Sequence, residues 1–348
     1  MRLILPLPGN ETFARHLAET GGWELGEIET RRFPDGETYV RILSDVADRR
    51  VDLVCTLARP DDGFLRLVFA ADAARSLGAR EVTLVAPYLA YMRQDRRFLT
   101  GEAVTSKTFA HLVSSTLDRL VTVDPHLHRY PALSALYTIP TETLHAAPLL
   151  ADWIAAEVEK PLVIGPDEES EQWVSAIAER IGAPHAVLHK IRHGDRSVDV
   201  ELPDLLQWSG LRPVLVDDIA SSGHTLIEAA RKLPLQGFSR PVCVVVHGVF
   251  AEDSYERLLA VADRIVSSDS VQHVSNAIRL APLIATSISA AEKVSEYLVR
   301  HRRPPEPLDK VERAGIDSFP ASDPPPWTSG VGSTQRRTPR QGKGDSAT

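Results

Sequence analysis

The chain has 348 residues, 43% of them hydrophobic and 25% charged, with a formal net charge of -8. At roughly 100 to 200 residues per domain this is enough for two globular domains, and the balance excludes a fibrous or wholly disordered chain. The acidic excess excludes a general nucleic-acid binder, which needs clustered lysine and arginine.

The amino-terminal run Met1–Glu11 is too short for a signal-peptide core, and no segment reaches the roughly 20 apolar residues that span a bilayer, so no membrane association and a cytoplasmic location are expected. Asn10 is expected to begin a helix as its cap. From Leu3 to about Ile288, short β-branched runs alternate with amphipathic stretches, the pattern of helices layered on mainly parallel strands. Strands are expected at 51–57, 81–86, 120–123, 162–164, 214–216 and 242–246, and helices at 64–77, 106–116, 170–181 and 225–233. Cys55 and Cys243 lie inside apolar runs and read as small buried hydrophobes.

Several segments between these elements carry chemistry. Phe33-Pro34-Asp35-Gly36-Glu37 is a tight turn leading into a strand. Pro87–Phe98 packs Arg93, Arg96 and Arg97 among aromatics, a composition that suits either a polyanion bearing a flat base or a solvated loop. Asp124, His126 and His128 alternate after a buried strand and read either as metal ligands or as hydrogen-bonded residues at a loop mouth. Asp167, Glu168 and Glu169 suit magnesium or a sugar, or equally the first turn of a helix. The stretch 189–196 is strongly basic, and as a bare pattern it is a surface hairpin.

The most specific local signal is Val214–Thr225, an apolar strand ending in Asp217 and Asp218 that turns through Ser221, Ser222 and Gly223 into a helix. Hydroxyls and free N–H groups at a helix start favour a phosphate, and the two carboxylates suit sugar hydroxyls or magnesium. The competing reading is a capped helix, which needs only one acidic residue. The strand running into an acidic turn at 120–124 repeats that at 214–218, which suggests a duplicated domain. A division at 1–145 and 146–301 follows, and beyond Arg302 a tail rich in Pro, Ser, Gly and Arg (302–348) is expected to be disordered.

The 214–225 segment resembles the phosphoribosyl-diphosphate loop of type I phosphoribosyltransferases and ribose-phosphate pyrophosphokinases, with serines in place of threonines. The 33–42 and 87–98 segments look like the ATP-binding elements that separate the pyrophosphokinases from the transferases, and 101–106 and 196–201 look most like the short archaeal-type members. The resemblance implies two similar α/β domains of the type I phosphoribosyltransferase kind, each a mainly parallel sheet flanked by helices. It also implies a diphosphokinase acting on ATP and ribose 5-phosphate with Mg2+, in a homo-oligomer of two or more subunits.

By the same resemblance Phe33, Asp35 and Glu37, reaching from a neighbouring subunit, and Arg93 and Gln94 meet the nucleotide, while His126 and Asp167 meet the metal. Asp217, Asp218, Ser221, Ser222, Gly223, His224 and Thr225 hold the ribose phosphate, and Lys190 and Arg192 are catalytic. Glu169 and Ser170 depart from the family's two glycines. A phosphoribosyltransferase and a non-catalytic regulatory homologue are the alternatives.

Overall fold

The computed structural model describes residues 1–127, 129–167, 170–193 and 197–300, and for Gln172, 189–193, 197–201 and 294–300 the backbone alone. The tail 302–348 lies outside the described residues. Met1–Ala291 form one compact unit.

The first half contains β1 (Arg2–Pro6), α1 (Glu11–Gly21), β2 (Glu24–Leu25), β3 (Ile28–Arg32), β4 (Thr38–Ile42), β5 (Arg50–Val54), α2 (Pro60–Ser76), β6 (Glu81–Ala86), α3 (Thr105–Thr116), β7 (Arg119–Val123) and β8 (Thr141–Leu144). Then come α4 (Ala147–Glu157), β9 (Pro161–Gly165), α5 (Glu171–Ile181), β10 (His185–Val187), β11 (His189–His193), β12 (Ser197–Glu201) and β13 (Arg212–Ala220). The described chain ends with α6 (His224–Lys232), β14 (Val242–Gly248), α7 (Ser254–Leu259), β15 (Arg264–Ser268), β16 (Asn276–Ile278) and α8 (Ala281–Arg300). Among the described residues no helix is long and apolar enough to cross a membrane.

Two parallel sheets repeat one strand order, β2-β1-β5-β6-β7-β8 and β10-β9-β13-β14-β15-β16, and two antiparallel hairpins, β3-β4 and β11-β12, stand apart from them. Parallel strands buried on both faces read as continuous apolar runs, and alternate residues then serve different cores. In β14, Cys243 and Val245 pack against α6 and α7, while Val242, Val244 and Val246 face the other way. In β1 and β6, Leu3, Leu5, Val82 and Leu84 pack with α2 and α3, while Ile4 and Val85 face the shared layer.

That shared layer is the main cohesive element. Residues of α1, α4, α5 and α8 join strands of both sheets in a single buried cluster that includes Leu17, Leu150, Ile177 and Ile284. Each fully buried leucine or isoleucine contributes about 1.5 to 3 kcal/mol relative to exposure. Both cysteines are free and buried, and desolvation pushes each thiol up to about 12, as expected of small hydrophobes.

One local expectation is corrected. Asn10 does precede α1, but its side chain makes no cap bond. It donates to the carbonyls of Leu7 and Pro8 and accepts the Thr56 N–H at 2.7 Å, thereby tying the end of β1 to the end of β5.

Candidate functional site

Ligands in open parallel sheets bind beyond the carboxyl ends of the strands, and here the ends of β7 and β13 meet. His126 Nδ1, just past β7, lies 2.7 Å from Asp218 Oδ2 near the end of β13. The two side chains retain 19% and 33% of their exposure, so the pair is open to solvent beyond the strand ends. Burial works to raise the Asp218 pKa, but the hydrogen bond and charge of His126 outweigh it and hold the carboxyl at about 2. Asp217 goes the other way. Burial, then the charges of Asp218 and Asp167, push it well above the ordinary range, which also brings Asp167 to the same place.

The turn after β13 is held from behind. Ser221 turns its carbonyl to the Ala251 N–H at 3.0 Å and the Ser254 hydroxyl at 2.8 Å, while Ala220 accepts from the Phe250 N–H at 2.9 Å. Gly223 takes φ 66 at the start of α6, and no side chain caps that helix. The left-handed backbone is the reason for glycine there. Ser222 and His224 are exposed, and Ser221 and Thr225 half-buried, beside free N–H groups of the first helical turn.

The arginine segment borders this site. Tyr88 is pushed up by burial and senses both the Arg93 and the Asp218 charge. Arg93 is exposed and Gln94 half-buried. Both carboxylate oxygens of Asp95 accept from the single Nη1 of Arg129, at 2.8 and 2.9 Å, which ties the segment to the stretch after β7.

Not every residue singled out by the sequence joins the site. Phe33, Asp35 and Glu37 form the turn of the β3–β4 hairpin: Asp35 Oδ1 accepts the Glu37 N–H at 3.2 Å, and the Arg31 guanidinium lies 4.6 Å from the Phe33 ring centre. The hairpin is tied to α2 by Arg32–Asp62, and among the described residues no hydrogen bond or ion pair of its turn reaches Asp218 or His126. Asp124 does not share a ligand face with His126. Its φ of 35 turns it inward, where its carboxylate accepts His145 Nδ1 at 2.9 Å and the Ala146 N–H at 2.8 Å. His128, Glu168, Glu169 and the side chains of Lys190 and Arg192 lie outside the described residues.

Ser170, which stands where the resemblance expects a glycine, is buried. Its Oγ donates to the Asp167 carbonyl at 2.6 Å and tucks against Gly165, where a Cβ would come within 2.2 Å of it. The added side chain therefore points into the fold.

His247, at the end of β14, links the two halves. It is fully buried, with Nε2 3.2 Å from the Asp124 carbonyl, Nδ1 2.9 Å from Ser270 Oγ, and its ring centre 5.0 Å from that of Tyr88. Desolvation lowers its pKa, so the ring is neutral, with Nε2–H donating to Asp124. Neither its depth nor its partners across the halves are encoded in local spacing.

Among the described residues no three His, Cys, Asp or Glu side chains make a ready-made cage. Magnesium does not require one, since it commonly takes one or two protein ligands with substrate phosphates and water. Three crowded carboxylates, Asp167, Asp217 and Asp218, beside one imidazole fit that style of binding.

Comparisons with known proteins agree with this geometry. A family model described as the N-terminal domain of ribose phosphate pyrophosphokinase matches residues 3–116, and a phosphoribosyl transferase domain matches 133–278. Ribose-phosphate pyrophosphokinase from Methanopyrus kandleri is 34% identical over 290 residues, covering 82% of this chain and 98% of its own. The protein of that name from Methanothermobacter thermautotrophicus is 32% identical over 286 residues, covering 81% and 98%. Phosphoribosylpyrophosphate synthetase from Mycobacterium smegmatis superposes with a TM-score of 0.72 at 23% identity, over 84% of this chain and 99% of its own, which establishes a shared fold.

Proposed function

The chain belongs to the ribose-phosphate pyrophosphokinase family, and from that premise we propose how its cleft transfers the β,γ-diphosphoryl group of ATP to the anomeric hydroxyl of ribose 5-phosphate, giving AMP and 5-phosphoribosyl 1-diphosphate. The observation that carries the reading is the His126–Asp218 contact, which brings a residue read as serving the nucleotide's metal within 2.7 Å of one read as serving the sugar.

Ser221, Ser222, Gly223, His224 and Thr225 hold the 5-phosphate at the uncapped start of α6. Asp218, kept ionised, and Asp217 beside it orient the ribose hydroxyls. Arg93 and Gln94 meet the nucleotide. His126 and Asp167 would hold a divalent cation, magnesium in our reading, which supplies charge neutralisation at the phosphate oxygens when bound. Lys190 and Arg192 meet the charge that develops as the anomeric oxygen attacks the β-phosphorus and the bond to AMP breaks. Phosphoryl chemistry of this kind rests on positioning and electrostatics.

Phe33, Asp35 and Glu37 serve the cleft of a neighbouring subunit, a reading supported by the absence, among the described residues, of a hydrogen bond or ion pair from their turn to Asp218 or His126. The protein is then a homo-oligomer acting in the cytoplasm, with working domains at 1–145 and 146–301 and a tail at 302–348. An AMP-release assay with ATP, magnesium and a panel of pentose phosphates tests the whole. AMP dependent on ribose 5-phosphate is the expected result, and bound ATP without AMP formation on any pentose phosphate would overturn it.

A further inference from the structure

A second link of different chemistry joins the two halves at the converse strand ends. β5 and β13 hold the same place in the two strand orders, as do β7 and β15, and α2 and α6 follow β5 and β13 respectively. His126, past β7, meets Asp218 of β13. In the converse position Ser270, past β15, accepts at its carbonyl the hydroxyl of Thr56, past β5, at 2.7 Å. Around this second link lies a cleft of about 910 Å³, and none of its lining residues comes from the 217–225 segment, Arg93, Gln94 or His126.

One wall of the second cleft is cationic. Arg59 and Arg66 line it at and beyond the start of α2, whose first turn carries Asp61 and Asp62, and among the described residues neither arginine has an ion-pair or hydrogen-bond partner. Arg66 is half-buried, and its charge works to lower the pKa of the buried Cys55 thiol. Arg32 also lines the cleft but is paired with Asp62 at 2.8 Å, and Glu252 stands on the facing wall. That facing wall carries Phe250 and His273, with ring centres 4.7 Å apart.

We propose that this second cleft binds the phosphate group of a small phosphorylated ligand between Arg59 and Arg66. Guanidinium groups recognise phosphate through forked, charge-assisted hydrogen bonds. Two of them at one concave wall, whose nearby carboxylate Asp62 is paired with Arg32, therefore favour a dianion over a neutral solute. The ligand's remainder lies toward Phe250 and His273.

The test is titration calorimetry of the full-length protein with inorganic phosphate and, separately, with AMP. Inorganic phosphate is expected to fill two sites per chain. Arg59→Gln/Arg66→Gln is expected to lose one of them, weakening it by at least about tenfold, while ribose 5-phosphate-dependent AMP release stays within about twofold. Arg59→Lys/Arg66→Lys is expected to retain the site in weakened form, which separates charge from folding. Ser221→Ala/Ser222→Ala is expected to weaken the other site only, so failure of the catalytic reading and failure of this one are read apart. Equal affinity for phosphate and AMP identifies the free anion as the ligand, and tighter AMP binding that Phe250→Ala removes identifies a nucleotide. A single phosphate site in the parent protein, or two that persist unchanged in Arg59→Gln/Arg66→Gln, would overturn the proposal.

Discussion

His126 Nδ1 and Asp218 Oδ2 stand 2.7 Å apart although 92 positions separate them in the chain, so one half of the molecule fixes the ionisation of a carboxylate in the other. Asp218 would otherwise be pushed upward by burial, and His126 holds it at about 2.

Replacing His126 by alanine is expected to lower the rate of AMP formation by roughly two to three orders of magnitude, the range for losing a positioned polar group. The melting temperature should move little, because the side chain is partly open to solvent. His126→Asn, which can still donate to Asp218, should restore the affinity for ribose 5-phosphate but not the rate.

Lys190→Ala tests the basic hairpin. Loss of a cation that meets transition-state charge is expected to reduce kcat by about three powers of ten or more while ATP affinity changes only a few-fold. Near-normal turnover with ATP binding intact would remove Lys190 from the mechanism.

Gly223→Ala isolates the phosphate turn. An added Cβ would meet nothing closer than Ile227 Cδ1 at 3.5 Å, so the penalty comes from φ 66 alone, about 1 kcal/mol. Chemical denaturation should register that loss. The KM for ribose 5-phosphate should rise about tenfold as the turn relaxes, with the KM for ATP unchanged.

Gly165→Ala should destabilise the fold by about 1 to 3 kcal/mol through overpacking, because the new methyl would lie 2.2 Å from Ser170 Oγ. Gly165→Ala/Ser170→Gly should recover part of that stability, with the remainder lost to Val174 Cγ2 at 3.0 Å. An unrescued double variant in urea denaturation would show that Ser170 is not what demands glycine there.

His145 supplies a pH signature. Its hydrogen bond to Asp124 raises the imidazole above its ordinary 6.5, so the folded protein favours the protonated ring. The stabilisation is fully present below about pH 6.5 and is lost as pH rises through the folded value. With 69% of the side chain exposed, the effect stays under about 1 kcal/mol. His145→Ala should therefore cost more stability at pH 5.5 than at pH 8.5, and a cost that does not vary with pH would refute the assignment.

Much of the layering is legible in sequence, since β-branched runs such as Val242–Val246 and amphipathic stretches such as Glu171–Ile181 carry their own periods. The Asp217–Asp218 pair is legible for a related reason, as two carboxylates ending a buried strand need an explanation. Asp124 is not legible, because only its left-handed backbone separates it from His126, two residues on. The inward turn of Ser170 and the cross-half bonds of His247 are likewise tertiary events. The Arg59–Arg66 wall escapes a local reading because its meaning depends on the second sheet repeating the first.

The apolar layer formed by α1, α4, α5 and α8 has a consequence for motion during turnover. Rotating one sheet against the other would tear open a sealed interior, so the two halves form a single unbending frame. Admission of substrate and departure of product must then be accomplished by loops travelling over that frame.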